Sequence, residues 1–157
     1  MYKFYGFLFL FICCSPKNLV VTNTMNKFSK EPFIYMKRTA CYGTCPQYEI
    51  SIYNNGLIQY DGKAFVDRLN CFQAILDENL IVRIKEKLEN VNFFDFEQEY
   101  ISPVTDIPSV ILKVNLGQGA YTVVDRLNGP KELKSLHSFI DSIYTDVITW
   151  ENCNTLD

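Results

Sequence analysis

Gln47-Tyr48-Glu49-Ile50-Ser51-Ile52-Tyr53-Asn54-Asn55-Gly56-Leu57-Ile58-Gln59-Tyr60 reads as two strands around one turn. Tyr48, Ile50 and Ile52 fall on one face and Gln47, Glu49 and Ser51 on the other. That period of two belongs to a strand with one buried face. Asn55-Gly56 is the strongest short hairpin signal, because both central residues of a type I′ turn need φ > 0. Leu57 to Tyr60 then returns as the partner strand. Upstream, Phe33 to Ala40 (FIYMKRTA) has the β-branched and aromatic content of another strand. Beyond Asp61-Gly62 the chain stays strand-like to about Ile75, interrupted near Asp67.

Helical periodicity takes over after Asp77, whose carboxylate can accept from the free N–H groups of a first turn starting at Glu78. Leu80, Ile81, Ile84, Leu88 and Val91 form its apolar stripe. The prolines of NFFDFEQEYISPVTDIP mark a loop, with Phe93, Phe94 and Phe96 plugging the edge of the core. SVILKVNL and AYTVVDRL form a second hairpin around Gly117-Gln118-Gly119. Pro130 opens a last helix, where its missing N–H would be unpaired anyway. Leu133, Leu136, Ile140, Ile143, Tyr144 and Val147 supply that helix's stripe. The order implies an α+β two-layer sandwich: an antiparallel sheet of hairpins with two helices packed on one face. A single domain over residues 33–150 is expected, with a C-terminal tail at 151–157.

The chain has 157 residues, 15 basic and 18 acidic, for a formal charge of −3. No Lys/Arg cluster stands out, and a pI near 5.2 argues against nucleic acid as a partner, since phosphate binding needs concentrated positive charge. At the N-terminus, MYKFYGFLFLFICC places Lys3 before an apolar run from Phe4 to Cys13, and polar Ser15-Pro16-Lys17 follow. This is the order of a secretory signal. The run is far shorter than the roughly 20 residues of a membrane-spanning helix. Its terminal cysteines resemble the lipobox of bacterial lipoproteins, in which the signal is cut before a cysteine that then carries lipid. Cys13 has Leu10 three residues upstream but bulky Ile12 just before it. Cys14 has Phe11 and small Cys13, and is the favoured lipidation site because a small residue must enter the peptidase. Residues 1–13 are then the signal and residues 14–32 the lipidated N-terminus and tether. An ordinary cleaved signal or an apolar strand are the alternatives. No acidic run follows Cys14, so the expected address is the bacterial cell envelope, facing the periplasm, with the membrane as a partner through the lipid.

The densest constellation is Arg38-Thr39-Ala40-Cys41-Tyr42-Gly43-Thr44-Cys45-Pro46, followed by Tyr48, Gly56 and Tyr60-Asp61-Gly62. Here the chain resembles a family of bacterial lipoproteins, domain of unknown function 6438. Its members carry R-T-x-C-[YF]-G-x-C-P-x-Y, then a hairpin glycine and Y-x-G. The likeness continues more weakly through Thr105-Asp106-Ile107-Pro108 and the last hairpin and helix. It implies a lipoprotein and this fold, and no activity.

If the flanking strands pair, Cys41 and Cys45 face each other across a hairpin, within the Cα separation a disulfide accepts. A structural staple is one reading. A second is thiol or copper chemistry, since C-x-x-x-C-P also resembles the motif of copper-delivering thioredoxin-fold assembly factors. In those a helix follows and a distant histidine completes the site, whereas here a strand follows. A reduced or differently connected pair is the third. Cys71 and Cys153 remain as a further pair in what would be an oxidising compartment. His137, the single histidine, sits at the border of the last helix's stripe, as a satisfied boundary residue would. Asp95, Glu97 and Glu99 lack calcium-loop spacing. No catalytic residue, metal site or cofactor is implied. The reading is a lipid-anchored cell-envelope protein acting as a non-catalytic binding or structural module, with another envelope protein as partner. Arg38, Tyr42, Gly43, Thr44 and Asp106 are its candidate surface. A thiol-redox or copper-handling protein using Cys41 and Cys45 is the alternative.

Overall fold

The computed structural model describes Met1 and residues 31–153. The signal segment after Met1, the lipidation candidates Cys13 and Cys14, the tether through residue 30, and residues 154–157 lie outside the described residues. The rest is an α+β fold: an eight-stranded, open, mostly antiparallel sheet with two helices.

The strands are β1 (Ile34–Arg38), β2 (Gln47–Ile52), β3 (Leu57–Ala64), β4 (Asn70–Ile75), β5 (Glu99–Tyr100), β6 (Val110–Asn115), β7 (Ala120–Asp125) and β8 (Glu151–Asn152). Their spatial order is β5-β7-β6-β1-β2-β3-β4-β8. Only β5 and β7 run parallel. The second hairpin thus docks against β1, opposite the first, with Met36 between Ile50 and Leu112 in register. Ile34, Met36, Ile50, Ile52, Ile58, Tyr60, Leu112 and Val114 are buried, as their alternation requires.

Helix α1 (Glu78–Asn90) begins where Asp77 accepts from the Asn79 N–H at 2.8 Å, and it buries Ile81, Ile84 and Leu88. Helix α2 (Lys131–Asp146) starts after Pro130 and buries Leu133, Leu136, His137, Ile140 and Ile143. Apart from His137, these side chains and the buried sheet residues form one apolar cluster.

Three local features differ from the sequence reading. The first turn is a three-residue loop, Asn54-Asn55-Gly56: Gly56 N–H donates to the Tyr53 carbonyl, Tyr53 N–H to that of Leu57, and only Gly56 has positive φ, +87°. A type I turn closed by a left-handed glycine does this without φ > 0 at Asn55. The long strand to Ile75 is instead two paired strands, β3 and β4, turning at residues 65–69 with Phe65 left-handed. Within the 92–108 loop, Phe93–Asp95 form a 3-10 turn and β5 adds an edge strand. Phe93 is buried there, whereas Phe94 is exposed.

Candidate functional site

Arg38 ends β1 on the face that buries Ile34 and Met36, and Tyr48 lies directly opposite it on β2. The first and last residues of the cysteine motif are therefore neighbours on the buried side of the sheet. Helix α2 brings Asp141 to them. Arg38 forms an ion pair with Asp141 through Nη2, and its Nε–H is shared between Tyr48 Oη (2.8 Å) and Asp141 Oδ1 (3.3 Å). Tyr48 O–H donates to the same Oδ1 at 2.5 Å. Burial, then the Asp141 carboxylate, pushes the Tyr48 hydroxyl well above its usual range, so it stays a donor. Burial pulls the other way on Arg38, but its bonds to Asp141 leave the guanidinium held more firmly charged.

Tyr48 also begins an aromatic ladder. Its ring lies 5.5 Å from Tyr60, which stacks on Tyr144 at 4.0 Å, and Trp150 packs 5.8 Å from Tyr144. Arg68 covers Tyr144 from a distance of 5.9 Å.

Between Arg38 and Tyr48 the chain leaves the sheet. Cys41 and Cys45 are joined in a disulfide with Cα atoms 5.8 Å apart. They lie in the loop beyond the last ladder pair, Arg38↔Tyr48, so the loop is closed by the bond and not by strand pairing. The 101–109 loop pins its first half at two points. Thr39 N–H donates to the Ser109 carbonyl (3.0 Å), Ser109 N–H to Thr39 Oγ1 (2.8 Å), and Tyr42 N–H to the Asp106 carbonyl (3.0 Å). Asp106 takes left-handed φ, +65°, to present that carbonyl. Pinned in this way, the Tyr42 side chain is 91% exposed. It borders an open hollow of about 380 Å³ shared with Cys41, Asp106, Ile107 and Arg126, whose Nε–H donates to Ser109 Oγ at 3.3 Å.

Of the candidate surface residues, Tyr42 and Asp106 meet at this hollow, and Gly43 and Thr44 are exposed on the same loop. Arg38 is turned inward to α2. Asp141 belongs to no motif in the sequence. Its signal is position: four residues after His137 and one after Ile140, a carboxylate at the margin of an apolar stripe.

His137 is more deeply buried than a boundary residue, at 3% exposure. Its Nδ1 lies 3.9 Å from Asp125 Oδ2, its Nε2 has no hydrogen-bond partner among the described residues, and burial lowers its pKa to about 4. Asp125 Oδ1 accepts from Gly129 N–H, 2.9 Å away, at the entry to α2. Among the described residues no three His, Cys, Asp or Glu side chains gather as metal ligands. A second disulfide joins Cys71 to Cys153, tying the C-terminal segment to β4.

Arg38, Tyr48 and Asp141 bond to one another across β1, β2 and α2, so the clamp holds the base of the loop. The solvent-facing chemistry is Tyr42 and the hollow beside it. The family model described as Domain of unknown function (DUF6438) matches residues 32–144, and the chain belongs to that family. No curated protein matches the chain.

Proposed function

We propose, with membership of this family as the premise, that the protein is a lipid-anchored cell-envelope protein and a non-catalytic binding module whose cysteine-motif loop contacts another envelope protein. The observation that carries this reading is Tyr42: a large amphipathic ring, 91% exposed, on a loop closed by a disulfide and hydrogen-bonded to the 101–109 loop at Thr39 and at Tyr42 itself. Exposed tyrosines on rigid supports supply contact area at little entropic cost and are enriched at interface hot spots. The fold behind the loop is read as a two-layer sandwich with both helices on one sheet face, consistent with the shared apolar cluster. Two disulfides suit the oxidising compartment that a lipid anchor at Cys14 would give.

The test is a photoreactive amino acid placed at Tyr42 in cells. A discrete crosslinked species is expected, weakened by Arg126→Glu and abolished by Cys14→Ser, which removes the lipid. An identical pattern from a probe at Lys113, on the sheet away from the loop, would sink the reading. Redox titration addresses the thiol alternative: a structural staple should have a potential below about −300 mV, and a value near −200 mV would favour redox work.

A further inference from the structure

A groove of about 510 Å³ lies at the end of the strands opposite the motif loop, where β4 runs into α1 and α2 runs into β8. Leu57, Ile75, Leu76, Leu80, Ile143 and Ile148 give it an apolar floor and walls. Ile75 is 71% exposed and Ile148 96%. Its polar rim has one sign: Asp77, Asp146 and Glu151 line it, and no Lys, Arg or His does so among the described residues. Helix α2 ends at the same place with no basic residue in its last turn, so its carbonyl ends add negative potential.

The backbone has an open edge here as well. Leu76 N–H donates to the Gly56 carbonyl at 2.8 Å. By antiparallel alternation, the N–H and C=O of Ile75 then point away from β3. On that side β8 pairs only with Phe72 and Gln73. The far wall, residues 147–149, is held by the Cys71–Cys153 disulfide and by Trp150 packed against Tyr60 and Tyr144. The groove is therefore preformed.

We propose that this groove docks an extended apolar segment flanked by Lys or Arg, carried by a partner protein. The open edge at Ile75 can pair with an extended backbone, the apolar walls take alternate side chains, and the carboxylate rim and helix end select cationic flanks. The proposal concerns a second surface and goes beyond the loop contact.

The test uses the full chain in nonionic detergent and the synthetic peptide KKVIVIKK. Trp150, the only tryptophan, adjoins the groove wall and reports binding by its emission. KKVIVIKK should bind saturably and weaken with salt. Ile148→Lys and Ile75→Lys should each weaken it by about tenfold or more. Both side chains are exposed, so both variants should fold. Tyr42→Ala should leave it unchanged, which separates this site from the loop. Equal binding of EEVIVIEE, or no saturable binding at all, overturns the proposal. So does a dimer in sedimentation that Ile148→Lys dissociates, which would give the groove to a second copy. Binding that appears only after residues 1–30 are removed would give it to the chain's own N-terminal segment.

Discussion

Arg38 places a charge on the strand face that otherwise buries Ile34 and Met36, and it is tolerated because Asp141 and Tyr48 meet it there. Removing one partner of a desolvated ion pair costs more than the pair contributes, because the remaining charge is left uncompensated. With both side chains still about a quarter exposed, Asp141→Ala should cost about 2 kcal/mol in urea unfolding. Adding Arg38→Met should recover part of that loss, and strict additivity in the cycle would show the clamp is not a unit. His137 poses a related problem of proton binding. Its unfolded pKa is near 6.5 and burial lowers the folded value to about 4, so between these values the unfolded chain binds more protons. Stability from this residue is full above pH 6.5 and falls as pH drops towards 4, by up to about 3 kcal/mol. His137→Leu should flatten that slope relative to wild type in urea titrations from pH 7.5 to 4.5. Parallel pH profiles would mean that the imidazole is reached by water or by a partner.

At the scale of elements, the β3–β4 hairpin depends on Gly62. A side-chain carbon there would fall 1.8 Å from the Arg68 carbonyl oxygen, a backbone atom that cannot move without opening the turn. Gly62→Ala should lower stability by about 2 kcal/mol or more, read as a shift in the urea midpoint. Wild-type stability in that variant would mean the 65–69 turn is free to relax. The glycine of Y-x-G was visible in the sequence, but the carbonyl facing it was not, because the turn lay inside what read as one interrupted strand. Other elements divide along the same line. The start of α1 was legible because Asp77 caps it locally, and the alternation of Gln47 to Ile52 carried β2 intact. The two-residue strands β5 and β8 have no period to read, and their pairing is fixed by where the chain closes. The seat of β6 beside β1 is likewise a tertiary choice. Of the candidate site, Tyr42 and Asp106 were legible through the motif. Asp141 was not, since it is more than 90 residues away from both of its partners.

Across the whole molecule, the two disulfides do different work because they close very different lengths of chain. Cys41 and Cys45 are 4 residues apart and stiffen one loop, whereas Cys71 and Cys153 are 82 apart and tie the C-terminal segment to a strand laid down before both helices. If a disulfide acts chiefly by restricting the unfolded chain, its contribution grows with the logarithm of the loop it closes. That relation gives about 2 kcal/mol for the short loop and about 4.5 kcal/mol for the long one. The paired change Cys41→Ser with Cys45→Ser should therefore leave a folded protein of modestly lower stability. Cys71→Ser with Cys153→Ser should cost about twice as much, and it should also free Trp150 from Tyr60 and Tyr144, shifting its emission to the red before global unfolding. Urea denaturation followed by Trp150 fluorescence and by far-ultraviolet circular dichroism measures both effects. For the long-loop variant the two probes should separate, with fluorescence changing first; for the short-loop variant they should coincide. A larger loss from the short loop would show that its bond supports the native arrangement of Thr39, Tyr42 and Ser109 enthalpically. The stapled loop would then be a keystone of the fold, and not only the support for an exposed tyrosine.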